Sequence, residues 1–158
     1  MNNKFIITFA SAITTLFCVA AANAKDISAD AVAIINNENL VIQQIEVLEF
    51  GELAVGATGG TYSVASQIAT GDVVQLNGSN PAEFEVTGIA NTAYNIIADS
   101  NVTLSSESDN MSATLTVPAS SSLNGSGVSI FEIDGTISVA ANQPDGDYSG
   151  QYNVSVSY

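Results

Sequence analysis

Turn chemistry interrupts this sequence roughly every 10 to 14 residues, a spacing that favours short strands over helices. The interruptions include Gly59-Gly60, Gly71-Asp72, residues 77–81 (Asn-Gly-Ser-Asn-Pro), Gly88, the polar run 105–110, Pro118, the Ser-, Asn- and Gly-rich run 120–127, Asp134-Gly135 and residues 142–146 (Asn-Gln-Pro-Asp-Gly). A helix of ordinary length would have to run through such breakers. The apolar residues between them alternate instead. The cleanest case is residues 147–158. Tyr148, Gly150, Tyr152, Val154, Val156 and Tyr158 hold the even positions. Asp147, Ser149, Gln151, Asn153, Ser155 and Ser157 hold the odd ones. Strand side chains alternate faces, so this stretch has one apolar and one polar face.

The remaining runs fit the same period. Residues 40–50 are apolar at Leu40, Val41, Ile42, Ile45, Val47, Leu48 and Phe50, too densely for one clean alternation. A helix is the alternative there, disfavoured by the breaks that follow at Gly51, Gly56 and Gly59-Gly60, and a strand containing a bulge would explain the doubled apolar pairs. Short strands are expected at residues 61–65, 73–76, 84–87, 94–98 and 102–104. Another at 111–117 should stop at Pro118. Residues 120–127, rich in Ser, Asn and Gly, read as a loop. Residues 130–140 read as one or two strands broken near Asp134-Gly135. The total of about eight to ten short strands predicts an all-β protein, a single antiparallel Ig-like β-sandwich.

The first 24 residues have the form of a secretory signal. Lys4 precedes an apolar run over residues 5–19, and Ala22-Asn23-Ala24 suits a signal peptidase. Cleavage before Lys25 is expected, with export to the periplasm, the cell surface or the medium. Removing 24 of the 158 residues leaves 134, enough for one domain, and Cys18 leaves with the signal. A disulfide-free exported fold must be held by packing and sheet hydrogen bonds. The expected organisation is a signal peptide (1–24), an N-terminal extension (25–38) and a β-sandwich domain (39–158). No other run is long and apolar enough for stable membrane insertion.

Charge and missing residue types exclude much chemistry. All 16 acids fall after residue 24, where Lys25 is the one basic side chain, a net of −15. Nucleic acid is excluded as a partner because nothing could neutralise its phosphates. Like-charged copies repel at low salt, so self-assembly should be helped by salt or cations. Without His or mature Cys there is no nucleophilic triad and no ordinary zinc or haem site. No cofactor is expected. Glu83 and Glu85 could serve as a glycosidase pair, but alternation around Phe84 already places them on a solvated face. Asp145 and Asp147 flank Gly146 without the spacing of a calcium loop, so a turn is expected there. The aromatics after residue 24 are Phe50, Phe84, Phe131, Tyr62, Tyr94, Tyr148, Tyr152 and Tyr158, and core packing is the expected role for most of them, with nothing marking a sugar-binding platform.

Several motifs in order carry a family resemblance. They are Leu48-Glu49-Phe50-Gly51, residues 81–88 (Pro-Ala-Glu-Phe-Glu-Val-Thr-Gly), residues 123–127 (Leu-Asn-Gly-Ser-Gly) and residues 139–150, which contain Asn142-Gln143-Pro144-Asp145-Gly146. Over the mature chain the sequence resembles the DUF4402 family of secreted bacterial β-proteins. That resemblance implies a fold and an exported location, and it implies no catalytic residues. More loosely, the chain is similar to chaperone–usher pilus subunits. In those subunits a neighbour's N-terminal extension completes an open sandwich. Classical pilins usually carry a disulfide, which this mature chain lacks.

The resemblance implies a non-enzymatic structural or adhesive surface protein, a fimbrial-type subunit. Residues 27–35 are the donor-strand candidate, presenting Ile27, Ala29, Ala31, Ala33 and Ile35 at alternate positions. The acceptor groove is expected beside the last strand, at Tyr148, Tyr152, Val154, Val156 and Tyr158. The implied partners are other copies or related subunits, a periplasmic chaperone and an outer-membrane usher. The alternative is a self-complete monomeric envelope domain that binds a glycan or calcium.

Overall fold

The computed structural model describes residues 40–107 and 109–158. The stretches expected to be a signal peptide (1–24) and an extension (25–38), with the donor-strand candidate Ile27, Ala29, Ala31, Ala33 and Ile35, lie outside the described residues. Among the described residues there is no helix. Ten strands follow one another: β1 (Val41–Glu46), β2 (Glu52–Ser63), β3 (Ile68–Asn77), β4 (Ala82–Thr87), β5 (Ala93–Ala98), β6 (Asn101–Ser105), β7 (Asn110–Thr116), β8 (Ser120–Ser122), β9 (Val128–Val139) and β10 (Val154–Ser157). Every pairing is antiparallel. Seven strands form one sheet, in the order β1-β4-β9-β2-β3 with β7 and β6 joined through β9. The other three form a sheet in the order β10-β5-β8. The protein is an all-β antiparallel sandwich.

Alternation builds the core. In β4, Ala82, Phe84 and Val86 are buried, while Glu83, Glu85 and Thr87 face outward. Phe84 lies opposite Phe131 of β9, and their rings stack with centroids 5.3 Å apart and planes 15° apart. Removing each such side chain from water contributes about 1.5–3 kcal/mol. Two buried tyrosines keep their hydroxyls satisfied, as a buried polar tip requires. Tyr62 shares a 2.7 Å hydrogen bond with the Ser79 hydroxyl, and Tyr94 donates to Ser129 Oγ at 3.2 Å. Phe50 reaches the core across a glycine: a Cβ on Gly135 would lie 2.7 Å from Phe50 Cζ.

The bulge expected in residues 40–50 is present. The β1–β4 register shifts between Gln44 and Glu46. The strands at residues 84–87, 94–98, 102–104 and 111–117 also form, the last ending before Pro118.

Four expectations are corrected. The glycines at 59–60 and 71 lie inside strands rather than between them, because β2 and β3 form one long hairpin. Gly59 has φ +68°, and the β2–β3 register shifts between Val55 and Gly60, so these glycines mark a bulge. Residues 120–127 are not wholly a loop, since β8 pairs with β5. The Asp134-Gly135 signal does not break β9. It marks a change of partners: Val128 to Ile133 pair with β4, and residues beyond pair with β7 and β2.

The last stretch is the fourth correction. Its polar and apolar faces alternate as expected, but only Val154–Ser157 is strand. Ser149 makes an isolated bridge to Ser105 of β6, and the chain then crosses to β5. Asp99, in the turn between β5 and β6, holds the crossing point. Its carboxylate accepts from the Asn153 backbone N–H at 2.8 Å and from Asn153 Nδ2 at 3.0 Å. The crossing follows β5 and β6 themselves, which belong to different sheets.

Candidate functional site

Two strands end their sheets beside one another. Among the described strands, β1 is hydrogen-bonded only to β4, and β10 only to β5. Between them runs an open groove of about 440 Å³. Ile42 and Gln44 of β1, with Val47 and Leu48 just beyond it, form one wall. Residues 150–154 form the other, and Phe84 lies at the floor. The bulge in β1 allows Val47 and Leu48 to follow Glu46 without continuing its pairing with β4. Edge strands expose unpaired backbone donors and acceptors, and natural proteins guard them with charges, usually Lys. The described residues contain no Lys or Arg.

Tyr152 is the unusual member of this groove. Its ring packs against the core, and its hydroxyl is buried with no hydrogen-bond partner among the described residues. Burial pushes the phenol pKa up, because the phenolate would be poorly solvated there. An unpaired buried hydroxyl costs free energy, so Tyr152 is a locally destabilising member of this wall.

The residues expected to line an acceptor site fall in different places. Tyr152 and Val154 line the groove. Val156 is half-buried against the core. Tyr158 is largely exposed and anchors the strand end, its hydroxyl accepting from the Ile89 N–H at 2.7 Å. Tyr148 sits apart from β10 and locks the turn before it. Its hydroxyl donates to Pro144 O at 2.8 Å and accepts from Gln143 Nε2 at 3.0 Å. Sequence reasoning missed the wall supplied by β1 and the floor supplied by Phe84. The doubled apolar pairs of residues 40–50 signalled the bulge that shapes this wall, but alternation alone could not say which edges would adjoin.

Glu83 and Glu85 lie on the outer face of β4 rather than in this groove. Glu83 stands in register between Glu46 of β1 and Glu132 of β9, a row of three carboxylates across three strands. Asp145 and Asp147 are exposed in the turn that Tyr148 closes. Among the described residues no group of three acidic, His or Cys side chains is placed to hold a metal ion.

No curated protein and no solved structure matches the chain. The family model described as a domain of unknown function, DUF4402, matches residues 40–158. That span covers all ten strands and both walls of the groove, and the chain belongs to the DUF4402 family.

Proposed function

We propose that this protein is a non-enzymatic structural or adhesive subunit of a fimbrial-type surface polymer, assembled by donor-strand exchange. Residues 27–35 of one copy, or of a related subunit, insert between β1 and β10 of the next. The observation that carries this reading is the groove itself: among the described residues, two strands each paired on one side flank a floor that contains Phe84. An added strand would complete the backbone pairing of both edges, the recognition mode called β-strand addition. The donor candidate presents mainly Ala29, Ala31 and Ala33 between Ile27 and Ile35, and alanines bury little area, so its insertion would rest on backbone pairing more than on apolar contact.

A periplasmic chaperone would cover the same groove before assembly, and an usher would exchange it for the donor. The charge of −15 per mature chain opposes association, so polymer should form more readily in salt. The test compares the mature chain, starting at Lys25, with a chain starting after Asn36. The mature chain should give SDS-resistant ladders, and the shortened chain should stay monomeric and unfold at lower denaturant. A mature chain that runs as one compact species, or a shortened chain equally stable, overturns the proposal.

A further inference from the structure

A second and larger cleft, of about 1050 Å³, lies where β9 leaves the sheet. β2 pairs with β3 from Glu52 to Ser63, but β9 covers its other edge only from Gly60 to Ser63. β9 ends at Val139, and the chain turns away through Asn142, whose φ is +55°. One weak contact, Asn142 N–H to Gly56 O at 3.4 Å, is the last hydrogen bond on that side. From Glu52 to Val55, β2 therefore has no strand neighbour opposite β3 among the described residues.

What replaces the missing neighbour is an open slot with a fixed far wall. That wall is the turn at residues 143–148, held by the Tyr148 hydroxyl and by Gln143, which is only 8% exposed and also donates to Asn110 O at 3.4 Å. The floor is apolar: Leu53, Val55, Leu104, Met111, Ile137 and Val139. The rim carries four exposed carboxylates, Glu49 and Glu52 on one side and Asp145 and Asp147 on the other. No basic side chain occurs among the described residues to balance them.

We infer that this cleft binds an extended peptide segment of another protein that alternates apolar and basic side chains. Three features select that chemistry. The open edge of β2 offers backbone pairing to a strand. The floor takes apolar side chains on one face of it, at the period of two that strands impose. The acidic rim takes cations on the other, and complementary charge of this kind sets partner choice and speeds encounter. A second copy of this protein does not fit, since its mature chain has the single cation Lys25. The inference is independent of donor-strand assembly, which uses the groove between β1 and β10.

The test uses the mature protein and a ten-residue peptide alternating Val and Lys, followed by calorimetry and amide hydrogen exchange. The peptide should bind and slow exchange at the amides of residues 53–55. The double variant Glu52→Lys/Asp147→Lys should weaken binding by about tenfold or more, because like charges then face each other across the rim. The control Glu83→Lys/Glu132→Lys makes the same charge change on the outer face and should leave most of the affinity. A matched Val–Glu peptide should not bind. The inference is overturned if the Val–Lys peptide fails to bind, if residues 53–55 gain no protection, or if both double variants lose affinity equally. The last result would mean attraction to net charge alone.

Discussion

Single side chains set several of the limits on this fold. Gly135 is one, because Phe50 occupies the space a Cβ would need. Gly135→Ala should overpack that contact and cost about 1–3 kcal/mol, measured as a fall in the urea midpoint with an unchanged slope. Tyr152 is another. Replacing it with Phe removes a buried hydroxyl that has no partner, while leaving the ring. The isolated domain should become more stable, by about 1 kcal/mol. The pH dependence has a definite sign. The folded phenol pKa lies above the ordinary value of 10.0 because burial penalises the phenolate, so ionisation takes nothing from stability below that value. Stability is lost as pH rises from there through the folded value, where the unfolded chain ionises more readily. Alkaline titration of stability should therefore be flatter in Tyr152→Phe than in the parent.

At the scale of elements, the long β2–β3 hairpin depends on how its bulge is held. Thr58 donates its backbone N–H to the Asp72 carboxylate across the hairpin, at 3.1 Å. Hydrogen bonds from the Thr58 side chain and backbone hold the Asp72 pKa below its ordinary value of 3.8. This contribution is present above the unfolded value and lost as pH falls through the lowered folded one. The protection factor of the Thr58 amide, taken relative to the intrinsic exchange rate at each pH, should fall in acid, and Asp72→Asn should reduce that pH dependence. Outcomes at other residues of β2 distinguish this from global unfolding, since their amides should respond far less.

The hairpin also shows why glycines were hard to interpret from sequence. A glycine between two turns and a glycine inside a bulge have the same composition around them. The distinction lies in what crosses the strand: a Cβ on Gly60 would meet the carbonyl oxygen of Thr70, on the partner strand. Likewise Asp134-Gly135 reads as a break in one dimension. In three, β9 continues and its neighbours change.

Across the whole molecule, the unbalanced negative charge works against the compact state. The row Glu46, Glu83, Glu132 places like charges directly opposite one another, which destabilises a sheet by about 0.2–1 kcal/mol per pair. Glu83→Gln, at the centre of the row, should raise the urea midpoint at low salt. The gain should shrink in about 0.5 M NaCl, where such exposed interactions are screened. Equal gains at both salt concentrations would place the effect in packing rather than in charge.

Alternation alone accounts for much of this architecture. It marks which side of β4 is buried, that Tyr152, Val154 and Val156 share the inward face of the last stretch, and that the fold is antiparallel β. These are local properties, set by a period of two and by turn residues nearby in the chain. It could not place β1 next to β10, since those strands lie more than a hundred residues apart and share no hydrogen bond. Nor could it show that the last strand would shrink to Val154–Ser157. That outcome depends on Asp99 capturing Asn153 at the turn where β5 passes into β6. Pairing between distant segments is chosen by the packing of the whole core, and the open groove and the larger cleft are both consequences of where that pairing stops.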